Sequence, residues 1–94
     1  MEKGILTRIR RAIRDGRYDF TDHLLDEAAA DGLTTDDVLD VLWTGTLDST
    51  YSDDLRGIRY VIRGDVDTAE VDVVCRFTRD GSLLIIITTY VVEE

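Results

Sequence analysis

The stretch "GIRYVIRG", residues 57–64, places Arg59 and Arg63 around Tyr60 in a chain with 20 acidic and 11 basic residues. On a strand, arginines four positions apart share one face and stand about 13 Å apart along it, close enough to touch neighbouring phosphates. Tyr60 takes the opposite face. Arg56, just before this stretch, and Arg76, in a later strand-like segment, are further candidate substrate-binding cations. His23 is the single histidine, near a helix start, and imidazole is the one side chain whose unperturbed pKa lies near neutrality. Its pattern fits proton transfer or a plain surface imidazole beside a helix cap. Tyr51, Tyr60 and Tyr90 fit sheet packing with a solvent-facing hydroxyl.

Other chemistries find little support. No nucleophile motif, phosphate-cradling glycine loop or metal-ligand spacing is present, so neither a metal nor a cofactor is expected. Asp36-Asp37 and Asp53-Asp54 are adjacent carboxylates, but consecutive side chains diverge, and capping and turn roles account for them. Cys75 falls at an expected core position without an activating neighbour. One cysteine and one histidine exclude an intrachain disulfide and argue against a structural zinc site.

Ninety-four residues suit one domain, 1–94, with 44% hydrophobic residues to fill its core. There is no uninterrupted apolar run of about 18 residues and no apolar signal segment, so the expectation is a soluble, cytosolic chain that does not enter a membrane. The net charge of −9 opposes general nucleic-acid binding. Its distribution is uneven. Residues 1–18 carry a net +4, residues 19–54 hold eleven acids and no Lys or Arg, and residues 55–94 carry five arginines against seven acids. Any cationic surface must therefore combine the first helix with the sheet arginines. Fifteen acids are Asp, and Pro, Asn and Gln are absent, which fits a GC-rich genome or a saline host.

Ile5, Ile9, Ala12 and Ile13 recur at helical spacing, Leu6 widens the stripe, and Gly16 ends the first helix. Its arginines fall on the other faces. A second helix starts at Thr21 or Asp22, turns Leu24, Leu25, Ala28 and Ala29 inward, and stops at Gly32. A third has a capping box of Thr34 and Asp37, buries Val38, Leu39, Val41 and Leu42, partly covers Trp43, and closes at Gly45. The period then changes to two, giving strands in "TLDSTYS", "GIRYVIRG", "EVDVVCRFT" and "LLIIITTYVV", with residues 64–69 as a connection and Asp80-Gly81 as a two-residue hairpin turn, since both residues tolerate positive φ.

This hairpin predicts Phe77 opposite Leu84, Cys75 opposite Ile86, Val73 opposite Thr88 and Val71 opposite Tyr90 on the core side. The other side then holds Val74, Leu83, Ile85 and Ile87. That apolar patch calls for cover by the first helix, by a second copy in a homodimer, or by a partner protein.

The order "FTDHLLDEA", "DGLTTDDVLDVLWTG", a tyrosine in the next strand, "RGIRYVIRG" and a terminal "IIITTY" resembles a small bacterial and archaeal domain of unassigned function, often encoded beside a zinc-finger antitoxin of the MqsA type. That domain is similar to the MqsR and RelE toxins. The resemblance spans about residues 17–91 and implies a RelE-like α+β fold, with N-terminal helices packed on a curved antiparallel sheet of about four strands. It also implies a toxin–antitoxin pair, with an antitoxin protein as partner and mRNA as the substrate of metal-independent cleavage. In that chemistry one side chain takes the 2′-hydroxyl proton, the oxygen attacks the adjacent phosphate, cations stabilise the oxyanion, and an acid protonates the leaving oxygen. Carried over, Arg59 and Arg63 clamp phosphate while His23 or Tyr90 moves protons. MqsR-like enzymes use lysine and glutamine, whereas this chain has no Gln and Lys3 alone. That difference and the charge balance favour the alternative, a non-catalytic interaction module or homo-oligomer using the apolar sheet face.

Overall fold

A computed structural model describes residues 4–53 and 57–92. The elements run α1 (Ile5–Arg14), β1 (Tyr18–Phe20), α2 (Asp22–Ala30), α3 (Thr35–Thr44), β2 (Thr46–Asp53), β3 (Gly57–Val66), β4 (Ala69–Phe77) and β5 (Leu84–Val91). The architecture is α+β, with the helices packed on one side of a five-stranded sheet of order β1-β5-β4-β3-β2.

The helices start and stop where local chemistry directs. Thr21 caps α2, its hydroxyl accepting from the Leu24 N–H at 2.9 Å. Thr34 and Asp37 form the reciprocal capping box of α3, at 3.0 and 2.9 Å. Ile9, Ala12, Leu24, Ala28, Val38, Val41 and Leu42 enter one core with Ile62, Val71, Val73, Cys75, Leu84 and Ile86 of the sheet. Leu25 and Ala29, expected inside, are exposed, because only the Leu24–Ala28 edge of α2 meets β5 and α3. Trp43 is also exposed, at 45%.

The sheet departs from the sequence expectation in four respects. It is mixed rather than wholly antiparallel, because the three-residue β1 runs parallel to β5 and adds a fifth strand. β3 and β4 extend through the expected 64–69 connection to a tight turn, with Val66 opposite Ala69 and Asp67 at φ 54°. The β4–β5 loop is longer than two residues. The Thr78 N–H donates to the Leu83 carbonyl at 2.9 Å, the pair that the hairpin register expects, but strand pairing ends at Phe77–Leu84, and of Asp80-Gly81 only Gly81 has positive φ. Asp80 instead ties the loop with its carboxylate, accepting from the Ser82 N–H and from the hydroxyls of Ser82 and Thr78, which lowers its pKa.

The fourth departure is a register shift. Phe77–Leu84, Arg76–Ile85 and Cys75–Ile86 pair as expected, but the next pair is Val74–Thr88, leaving Ile87 as an extra residue in β5. Beyond this bulge Val73 faces Thr89, Asp72 faces Tyr90, and Val71 faces Val91. α1, a candidate cover for the far side of the sheet, packs in the helical layer against α3 and β5. Among the described residues, no helix is long and apolar enough to cross a membrane.

Candidate functional site

Strand alternation and the core contacts give Tyr60 and Ile62 to the helical side and Arg59, Val61 and Arg63 to the opposite, open side. On β4 the same rule sends Val71, Val73 and Cys75 inward and Asp72, Val74 and Arg76 to the open side. Two bulges then decide what flanks these cations. In β2 the pairing jumps from Leu47–Ile62 to Ser49–Val61, so Asp48 is extra and Tyr51 comes to lie opposite Arg59 on the open side. In β5 the extra Ile87 reverses the alternation, burying Thr89 and turning Tyr90 out beside Asp72. Without the second bulge Tyr90 would point into the core, as the simple hairpin register requires.

The β5 bulge is held from the helical layer. The Thr21 N–H donates to the Ile86 carbonyl at 3.1 Å, and its hydroxyl donates to the Ile87 carbonyl at 2.7 Å. Across the sheet, the Thr89 hydroxyl donates to the Asp72 carbonyl at 2.9 Å. The cap of α2 and the orientation of Tyr90 are thus tied to one another.

At the centre of the open face Arg63 donates from Nε to Asp72 Oδ1 at 2.7 Å and from a terminal nitrogen to Oδ2 at 2.9 Å. Asp48, the bulged residue of β2, adds a second carboxylate at 3.4 Å. The bond to Asp72, with the charges of Asp72, Asp48 and Glu70, raises the Arg63 pKa above its usual value. Asp72 is 2% exposed. Tyr90 stands opposite it in the β4–β5 pairing. Partial burial of the phenol, then the charge of Asp72 and a hydrogen bond to it, push the Tyr90 pKa above its ordinary value, so this hydroxyl stays protonated. Tyr51 and Tyr90 remain 58% and 43% exposed, with ring surface open to a ligand.

The structure therefore brings Arg59, Arg63, Arg76 and Tyr90 onto one face and leaves His23 out. His23 is an exposed residue of the first turn of α2, in the helical layer, whereas Arg59 and Arg63 project from the other side of β3. Arg56 lies outside the described residues. Val74, Leu83, Ile85 and Ile87, the expected apolar patch, are each partly buried. Sequence reading did not find Asp72 as the partner of Arg63. Its signal was available only after pairing Arg63 with Asp72 across β3 and β4. Among the described residues, no group of three or more His, Cys, Asp or Glu side chains is arranged to hold a metal ion.

Two depressions adjoin these elements. One, of about 440 Å³, lies where α3 meets β2 and β3 and is lined by Arg63, Asp65 and Glu70 among others. The other, about 210 Å³, lies between α1 and α3.

A domain of unknown function, DUF4258, matches residues 20–91. The chain belongs to this family. The matched span contains the whole open-face cluster, together with His23, and excludes α1. No curated protein matches the chain, and no solved structure does.

Proposed function

We propose that this DUF4258 domain is a toxin-like component of a toxin–antitoxin pair that engages mRNA on the open face of its sheet, acting in the cytoplasm as a metal-independent endoribonuclease. The observation that carries this reading is the collection of Arg59, Arg63, Arg76, Tyr51 and Tyr90 on the one sheet face that the helices leave uncovered. Guanidinium groups interleaved with phenols suit single-stranded RNA, whose phosphates take cations and whose splayed bases stack on aromatic rings. Arg59 and Arg76 contact phosphate. Arg63 is a positioning residue that fixes Asp72, and through it Tyr90, whose hydroxyl gives its proton to the leaving oxygen while a solvent water takes the proton of the attacking 2′-hydroxyl.

The test is incubation of the purified protein with free mRNA and with translating ribosomes in chelator, with cleavage read by primer extension. Cuts that vanish in Arg59→Ala and Arg76→Ala support the reading. Intact RNA in both settings, or cuts unchanged in those variants, rejects it.

A second reading, a non-catalytic module that binds a partner protein, is favoured by the engagement of Arg63 with two carboxylates and by the placement of the imidazole in the other layer. It predicts partner binding that depends on open-face residues, with no RNA cleavage. Sedimentation at low and high salt separates a homo-oligomer held by apolar contact from one held by surface ion pairs, since only the latter dissociates as charges are screened.

A further inference from the structure

α1 lies outside the matched family span, yet its polar face is organised. Thr7, Arg10, Arg11 and Arg14 fall at i, i+3, i+4 and i+7, the spacing of a single helical stripe, and together with Trp43 of α3 they line the 210 Å³ groove. α1 itself contains no acid. Arg14 shares its guanidinium with Asp15 at 3.0 Å, while among the described residues neither Arg10 nor Arg11 has a carboxylate partner. Arg10 is seated by packing: a terminal nitrogen donates to the Gly45 carbonyl at 2.9 Å, and its buried Nε has no hydrogen-bond partner. This holds the cation against the end of α3, beside the exposed indole.

We propose that this groove is a binding site for a nucleoside phosphate, either free or as a segment of single-stranded RNA, with phosphate on Arg10 and Arg11 and the base stacked on Trp43. The groove is smaller than the roughly 300 Å³ at which sites for whole drug-sized molecules begin, so it seats the phosphate while the base lies outside against the indole face. Arg11 and Arg14 are separated by most of a helical turn, about 4.5 Å of rise, so a strand can present a second phosphate to Arg14. The combination of cations with an aromatic plane favours a nucleotide over an acidic peptide, which offers carboxylates but no base to stack. The site uses none of the open-face residues and stands whether or not that face cleaves RNA.

Trp43 is the only tryptophan, so its fluorescence reports this groove directly. The full chain is titrated with AMP, an eight-nucleotide oligo(A), inorganic phosphate and poly-glutamate at several salt concentrations. AMP or oligo(A) is expected to quench the indole, with oligo(A) showing a log–log salt slope of about −1.4 for the two phosphates contacted, reduced by about 0.7 in Arg14→Ala, which loses the second of them. Quenching retained in an Arg59→Ala, Arg76→Ala double variant assigns it to this groove, even if that variant has lost all action on RNA. Quenching by AMP as well as oligo(A) identifies a free-nucleotide site, and quenching by oligo(A) alone an RNA subsite. Equal quenching by poly-glutamate, no quenching by either nucleotide probe, or quenching unchanged in both Arg11→Ala and Arg10→Ala overturns the proposal.

Discussion

Arg63 and Asp72 stand directly opposite one another on β3 and β4 and make a two-pronged contact at 2.7 and 2.9 Å, with Asp72 almost wholly withdrawn from solvent. Removing the cation leaves a buried carboxylate without its partner, a larger disturbance than losing a surface charge. Arg63→Ala is therefore expected to lower the thermal midpoint more than Arg76→Ala, and Arg63→Lys to restore only part of it, since an ammonium cannot reproduce the planar fork. Equal midpoints for all three variants would refute this account of the pair.

Gly45 has an ordinary φ of −78°, so its need for glycine is steric. An added Cβ would lie 2.5 Å from the Arg63 carbonyl oxygen and 2.6 Å from that of Val41. Gly45→Ala must push α3 off β3. The expected loss is about 1–3 kcal/mol by urea unfolding, in the range of overpacked cores. A wild-type midpoint would show that the junction yields freely.

Thr21 serves α2 and the β5 bulge with one hydroxyl. Thr21→Val keeps the shape and loses both bonds, at a cost of about 1–2 kcal/mol. Thr21→Ser should remain within about 0.5 kcal/mol of wild type. Amide and ring resonances of Tyr90 report whether its orientation changes, and no shift at Tyr90 in Thr21→Val would uncouple the cap from the bulge.

Burial pushes the Cys75 thiol from 9.0 up to about 12. The unfolded chain releases this proton first, so the contribution is complete below about pH 9 and declines as pH rises towards 12, by up to about 1.4 kcal/mol per pH unit. The raised Tyr90 value acts in the same direction above its ordinary 10.0. Unfolding measured at pH 8.5, 9.5 and 10.5 should show a steeper decline for wild type than for Cys75→Ala. Parallel declines would mean that the thiol is not differentially ionised.

Helix limits were legible because their causes are local: Thr21 and Thr34 reach only three residues ahead, and the apolar stripes of α1 and α3 repeat within a turn. β1 was missed because three residues carry too little alternation to register, and its strand character comes from pairing with β5, more than sixty positions away. The arginines of the open face could be read from their spacing, but their neighbours could not. A single extra residue in β2 and another in β5 reverse which side Tyr51 and Tyr90 occupy, and neither Asp48 nor Ile87 carries a local mark of this.

The residue order by itself determined the capped helices, the α+β class and the shared face of Arg59 and Arg63, since each follows from steric and hydrogen-bonding preferences within a few residues. Tertiary structure alone decided that Asp72 binds Arg63, that Tyr90 faces outward and that His23 belongs to the other layer. The first two outcomes depend on strand register, which is set across the whole sheet as its inner face packs on the helices, and the third on where α2 docks against β5.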